Sequence, residues 1–282
     1  MVFFQRLMIF VLVGALPLST LSASDNKHQT TINIAAIDKE HIFNENGPVR
    51  QLLNNHISHY LPQYRLNYIE TNFLAFWRNV QQGEPLCHVF ARGHISNINT
   101  IRSKHATLLT PMPAVVIHNS ALKKLENQTL SAESIIANKQ LMGGYNTGRN
   151  YPVYVQQLIE EKITDRKSTL FGGHFSIHQL HKLTHQGQLD YFVGLPQIMP
   201  LISGITLDDF TIVPFAEQSP QPLYFICSDN DTHQQFLNDF DRTAFSWYHN
   251  QHFNTLWQFL YPEDKKSHFK QLNRFIDQQM RE

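Results

Sequence analysis

Apolar positions along the chain recur with two periods, one near two and one near 3.6, and the two alternate. Thr31–Ile37 (TINIAAI), Tyr64–Ile69 and Leu86–Ala91 read as strands. Between them, Val49–Tyr60 carries Leu52, Leu53 and Ile57 on one side, and Asn72–Gln82 carries Phe73, Phe76, Trp77 and Val80 at helical spacing. Pro62 ends the first helix, and Gly83 with Pro85 ends the second. A strand-helix-strand-helix-strand opening predicts a mostly parallel sheet flanked by helices.

Leu108–His118 (LLTPMPAVVIH) is apolar and extended, since Pro111 and Pro113 disfavour a helix. The alternation then restarts: a helix over Leu130–Asn138, a strand over Lys139–Tyr145, a helix over Pro152–Lys162, a short extended piece at Thr169–Phe171, a helix over Ile177–His185 and a strand over Leu189–Val193. Phe210–Phe215 and Gln221–Cys227 are again extended, and His233–Tyr248, His252–Leu260 and Lys265–Gln279 are helical. A second α/β unit is thus inserted into the first, and the segments 108–118 and 210–221 form paired crossings between two lobes. The expected division is 24–113 with 215–282 for lobe one and 114–214 for lobe two.

The N-terminus follows another logic. Arg6 precedes the apolar run Leu7–Leu18, and Leu21, Ser22 and Ala23 form a small-residue exit before Ser24 and Asp25. Residues 1–23 read as a secretory signal peptide, with an uncleaved anchor as the alternative, because the run is shorter than the roughly 20 residues a membrane-spanning helix needs. The expected destination is the periplasm, with no lipid-bearing cysteine near the cut. In that oxidising space Cys87 and Cys227 either form a disulfide or remain two buried thiols, and their spacing does not decide.

Composition narrows the function. Formal net charge is zero, charged residues make up 16% of the chain and aromatic residues 12%, so there is no basic stripe for a nucleic acid and no acidic tract. A hydrophobic fraction of 42% supplies the cores of a folded protein. Sixteen histidines raise a metal reading: His178, His181 and His185 share a helix face. That face is more simply a solvated polar one, as no cysteine or carboxylate completes a site at ligand spacing. No G-x-S-x-G elbow, H-E-x-x-H motif or P-loop occurs, and Asp208 and Asp209 on a strand would point to opposite faces. The reading is therefore not an enzyme, with a periplasmic enzyme or a histidine-based metal carrier as the alternatives.

Three stretches carry a resemblance: Arg102 with Leu108, Leu109, Thr110 and Pro111; Met142, Gly143 and Gly144 through Arg149; and Leu183–Val193 (LTHQGQLDYFV). In this order they resemble the extracellular solute-binding proteins of the amino-acid-binding type (family 3), in a divergent Gram-negative form with the type II periplasmic binding fold. The resemblance implies two lobes, each a mostly parallel sheet flanked by helices, closing on a small polar or anionic solute. It places ligand contacts at Asp38, Phe43 and Trp77 in lobe one, Thr110 at the hinge, Tyr145, Thr147, Gly148 and Arg149 at the opening of a lobe-two helix, and Gly194 after the last strand of that lobe. It implies a monomer without cofactor or bound metal, serving an inner-membrane ABC permease or a sensor receptor. Two departures stand out: Val115–Ala121 contains no Arg for an α-carboxylate, and Tyr191–Pro196 contains no acid for an ammonium group.

Overall fold

The computed structural model describes residues 29–37, 43–92, 98–110, 112–125, 129–147, 149, 151–164, 170–173, 176–201, 206–216, 220–261 and 265–281. The leader reading, Asp38, Pro111 and Gly148 fall outside them. No helix among the described residues is long and apolar enough to cross a membrane.

The first part of the chain runs β1 (Thr30–Ile37), α1 (Pro48–Tyr60), β2 (Tyr64–Thr71), α2 (Phe73–Gln81), β3 (Cys87–Ala91), β4 (Thr100–Arg102) and β5 (Leu108–Thr110). The inserted part runs β6 (Ala114–His118), α3 (Ala132–Ala137), β7 (Gly143–Asn146), α4 (Val153–Thr164), β8 (Leu170–Gly173), α5 (Ile177–His185), β9 (Tyr191–Gly194) and β10 (Phe210–Pro214), with short 3₁₀ helices at Asn119–Leu125 and Pro196–Leu201. The chain then returns through β11 (Gln221–Ser228) to α6 (Asp231–Arg242), α7 (Ala244–Tyr248), α8 (Gln251–Leu260) and α9 (Lys265–Arg281).

Two sheets result. In the first the order is β2-β1-β3-β11-β4, with β5 also paired to β11, and in the second it is β10-β6-β9-β7-β8. Strand β1 pairs in parallel with β2 over its whole length, from Thr30↔Tyr64 to Ile37↔Thr71. It is buried on both faces, as a parallel sheet between helices must be. Ile32, Ile34 and Ala36 join one core with α1 and α6 to α9, while Ala35 joins Phe76, Trp77 and Val80 of α2 on the other side. The second sheet likewise buries Val115, Ile117 and Tyr191 against α3 and α4, and Val116 and Phe192 against α5.

Local chemistry sets the element ends. Pro48 opens α1, where its missing N–H costs nothing. The Asn72 side chain accepts from the Ala75 N–H at the start of α2, and Gly83, with φ of 86°, takes the chain out of that helix in the left-handed region. Gly143 is small for a different reason: a Cβ there would overlap the Tyr191 ring.

The crossing expected over 108–118 runs as β5 in the first sheet and β6 in the second. Three other points differ from the expectations. Thr100–Arg102 is a strand that its short length hid, and Arg102 lies in it, not in a turn. The helix expected over His233–Tyr248 breaks at Thr243, whose hydroxyl donates to the Phe240 carbonyl and competes with the helical ladder. Asp208 and Asp209 precede β10 in a turn.

Cys87 and Cys227 are joined by a disulfide across the antiparallel β3/β11 pair, both fully buried. It ties strands 140 residues apart in sequence. Closing a loop of that size removes much entropy from the unfolded chain, so a double Cys87→Ala, Cys227→Ala variant is expected to lose about 2–5 kcal/mol and to melt lower. Equal melting of variant and parent under oxidising conditions would mean that the ladder alone holds β11.

Candidate functional site

Parallel strands deliver their following loops to one edge of a sheet, and ligands of open α/β sheets sit outside those carboxyl ends where the strand order reverses. Here the reversal lies between β1 and β3 in the first sheet and between β7 and β9 in the second. A cavity of about 420 Å³ opens there, within the range of small-molecule sites. Its wall contains Ile37, Thr71 and Phe90 at the ends of β1, β2 and β3, and Asn146 and Gly194 at the ends of β7 and β9. Both sheets therefore contribute to one cleft.

Most of the wall is apolar: Phe43, Val49, Phe73, Leu108, Ile177 and Leu195 line it, and α8 adds Leu256 and Leu260. The first residues of three helices reach it, at Val49 of α1, Phe73 of α2 and Ile177 of α5. Ser176 caps α5 in a capping box with Gln179, which leaves the positive end of that helix dipole beside the cavity. A smaller chamber of about 40 Å³ adjoins it, sharing Phe73, Phe90, Thr110 and Arg149 with the main cavity and adding Trp77 and Arg92.

Arg149 is half-buried, yet deep in the cleft, and burial lowers the pKa of its guanidinium. Among the described residues, Tyr151 opposes that lowering. Tyr151 itself stays neutral, since burial raises its pKa, and its hydroxyl accepts from the Asn146 N–H and donates to the Val193 carbonyl. Arg92 follows β3; burial first, and the charge of Arg149 second, bring it down to about 9. A guanidinium does not lose its proton in a protein at neutral pH, so both are cations. His88, fully enclosed beneath the cavity with Nδ1 facing the Ala35 carbonyl at 3.4 Å, is pushed down to about 4, mainly by burial and further by Arg149. Glu70 is an exposed carboxylate at the rim.

Of the residues expected from the sequence, Phe43, Thr110, Arg149 and Gly194 line the main cavity. Trp77 is a core residue, 8% exposed, that borders the side chamber. Tyr145 is buried in the second lobe's core and Thr147 is exposed; neither lines the cleft. The reason is the strand pleat, which turns Tyr145 toward Val155 and Ile159 and brings Asn146 to the cavity instead. Arg149 does not open a helix either, as α4 starts at Val153. Arg102 resembles the family's arginine, but it stacks on Tyr224 at 4.2 Å and is not among the cavity residues.

The histidine face also resolves differently. His178 lines the cavity, His181 is buried with Nε2 at 3.0 Å from the Thr206 carbonyl, and His185 faces Asp209 at 3.9 Å. They do not converge on one point. Among the described residues, the group with metal-ligand spacing is Cys87, Cys227 and His233, and its two sulfurs are bonded to each other.

No protein-family model and no curated protein matches the chain. Solved structures do match. The chain studied for glutathione import via GshT and the cystine ABC importer TcyBC of Streptococcus mutans superposes with a TM-score of 0.62 at 11% identity, over 82% of this chain and 95% of that one. An ABC uptake transporter substrate-binding protein from Streptococcus pneumoniae with bound histidine gives 0.61 at 11%, over 85% and 94%. The fold is that of the two-lobed periplasmic binding proteins. The ancestral amino-acid-binding protein AncCDT-1, a precursor of cyclohexadienyl dehydratase, shares it at a TM-score of 0.60 and 10% identity, over 84% and 96%. The binding-protein fold accounts for both the two sheets and the position of the cleft between their carboxyl edges.

His88 gives this cleft a pH signature. Its folded-state pKa of about 4 lies below the ordinary value of 6.5, so between these the unfolded chain takes up a proton that the folded protein refuses. The stabilisation is complete above pH 6.5 and is lost as pH falls toward 4, by roughly 3 kcal/mol at most. His56 has the same sign: its Nε2 donates to the Thr243 hydroxyl, and a proton on Nδ1 would find no acceptor. A double His56→Gln, His88→Gln variant should show a flatter melting profile between pH 6.5 and 4. An unchanged slope would assign the acid sensitivity to other groups.

Proposed function

We propose that the protein is an exported solute-binding protein of the amino-acid-binding type, which holds a small anionic solute between its lobes. The observation that carries this reading is Arg149, a cation deep in an otherwise largely apolar cleft where, among the described residues, no carboxylate is among the groups that set its charge. An unpaired buried charge is costly, and an anionic ligand group would offset that cost. The helix N-termini at the cavity favour the same sign of ligand.

In this reading the protein acts in the periplasm as a monomer, binds without turnover, and passes its solute to an inner-membrane ABC permease or presents it to a sensor receptor. Closure brings the loop after β7 and the N-terminus of α5 onto the solute resting against Phe43, Phe73 and Phe90.

A thermal-shift screen with amino acids, polyamines, peptides, organic acids and zinc tests it, because a ligand of the folded state alone raises the melting temperature by mass action. An anionic compound is expected to stabilise, and Arg149→Ala to weaken it by about 1.5–3 kcal/mol in titration calorimetry. Selective stabilisation by polyamines, or undiminished affinity in Arg149→Ala, would remove the anion reading.

A further inference from the structure

The cleft has two compartments of different chemistry. The side chamber, about 40 Å³, has room for a group of a few atoms. Its wall brings together Arg92 from the end of β3 in the first lobe and Arg149 from the loop after β7 in the second. Trp77 borders it too, and its indole N–H is buried without a hydrogen-bond partner among the described residues. The main cavity is about ten times larger and is walled mostly by apolar side chains such as Phe43, Phe73, Phe90 and Leu256, with Glu70 and His178 among its polar ones.

We propose that the ligand is an amphipathic monocarboxylate, an aromatic or aliphatic acid, whose carboxylate enters the side chamber between Arg92 and Arg149 while its apolar body fills the main cavity. This rests on the reading of the cleft as a solute site and names the solute's class. A planar carboxylate matches the fork of a guanidinium, and its two oxygens serve two guanidinium groups at once. The Trp77 N–H is a donor of the right kind beside the same chamber. The apolar walls supply affinity in proportion to the ligand surface they cover. Arg92 is thus a second ligand-clamping residue, and the carboxylate links the lobes because its two partners come from different sheets. Burial lowers the pKa of Arg92 most and the charge of Arg149 lowers it further, and a bound anion relieves that second contribution.

Titration calorimetry of the full chain with hydrocinnamate, hydrocinnamamide, L-phenylalanine, octanoate, L-glutamate and phosphate tests the assignment. Hydrocinnamate, its amide and L-phenylalanine share one skeleton: the first is an anion, the second neutral and the third a zwitterion. Hydrocinnamate and octanoate are expected to bind, with the amide weaker by roughly 10- to 100-fold. Arg92→Gln should weaken hydrocinnamate by a similar factor while melting, without ligand, at or above the parent's temperature. If that variant fails to fold, the acid-against-amide comparison on the parent and an Arg92→Lys variant, which keeps the charge but loses the fork, carry the test. Binding of L-phenylalanine, L-glutamate or phosphate in preference to hydrocinnamate overturns the proposal and leaves the solute-binding reading standing. Undiminished hydrocinnamate binding in Arg92→Gln overturns the clamp. Silence across the whole panel overturns this proposal together with the reading it rests on.

Discussion

Two pairs of register contacts hold the molecule in its two-lobed form. In the first sheet Thr110 on β5 faces Gln221 on β11, and in the second Ala114 on β6 faces Pro214 on β10. Each crossing therefore leaves one ladder and enters the other beside its partner, so the two connections between the lobes are pinned at both ends. Such a joint permits rotation of one lobe against the other and resists their separation. It also places β11 antiparallel between β3 and β4, so that the returning chain completes the first lobe. The disulfide and the C-terminal helices then consolidate a sheet whose edge of strand ends faces the second lobe.

That geometry explains why two cations occupy an apolar cleft. The residues after β3 and β7 have no choice of direction: parallel strands at the reversal points deliver them to the gap between the lobes. Arg92 and Arg149 put positive charge into this gap, and burial lowers the pKa of both guanidinium groups. The neutral imidazole of His88 beneath them keeps a third positive charge from accumulating at neutral pH.

Much of the fold was legible in the sequence, because both sheets are built mainly from strands whose hydrophobic runs are bounded by Gly, Pro or a helix cap. Thr31–Ile37 and Gln221–Cys227 are clear from their own composition, whereas Thr100–Arg102 exists only because β11 offers it a partner. The site was legible where it follows a strand end. Phe43, Thr110, Arg149 and Gly194 come from loops or ends of that kind, and Arg92, directly after Leu86–Ala91, could have been found by the same rule. Tyr145 and Thr147 do not line the cavity: the alternation of β7 turns Tyr145 into the core, and Thr147, just past the strand, is exposed. Leu256 and Leu260 had no local signal at all: their place in the wall depends on how α8 packs against α1 and the segment 196–201.

The position of Arg102 sharpens the same point. By resemblance it stands where the family places an arginine, yet β4 pairs it with Ile226 and its guanidinium lies over the Tyr224 ring. A cation–π contact of this kind stabilises the edge of the first sheet by about 0.5–1 kcal/mol at an exposed site, and it leaves the residue unable to serve the cavity as well. The positive charge of the cleft is instead supplied one strand earlier, at Arg92, and from the opposite lobe, at Arg149. An arginine at a familiar place in the sequence thus predicts recognition only if the strand carrying it ends at the cleft, and β4 does not.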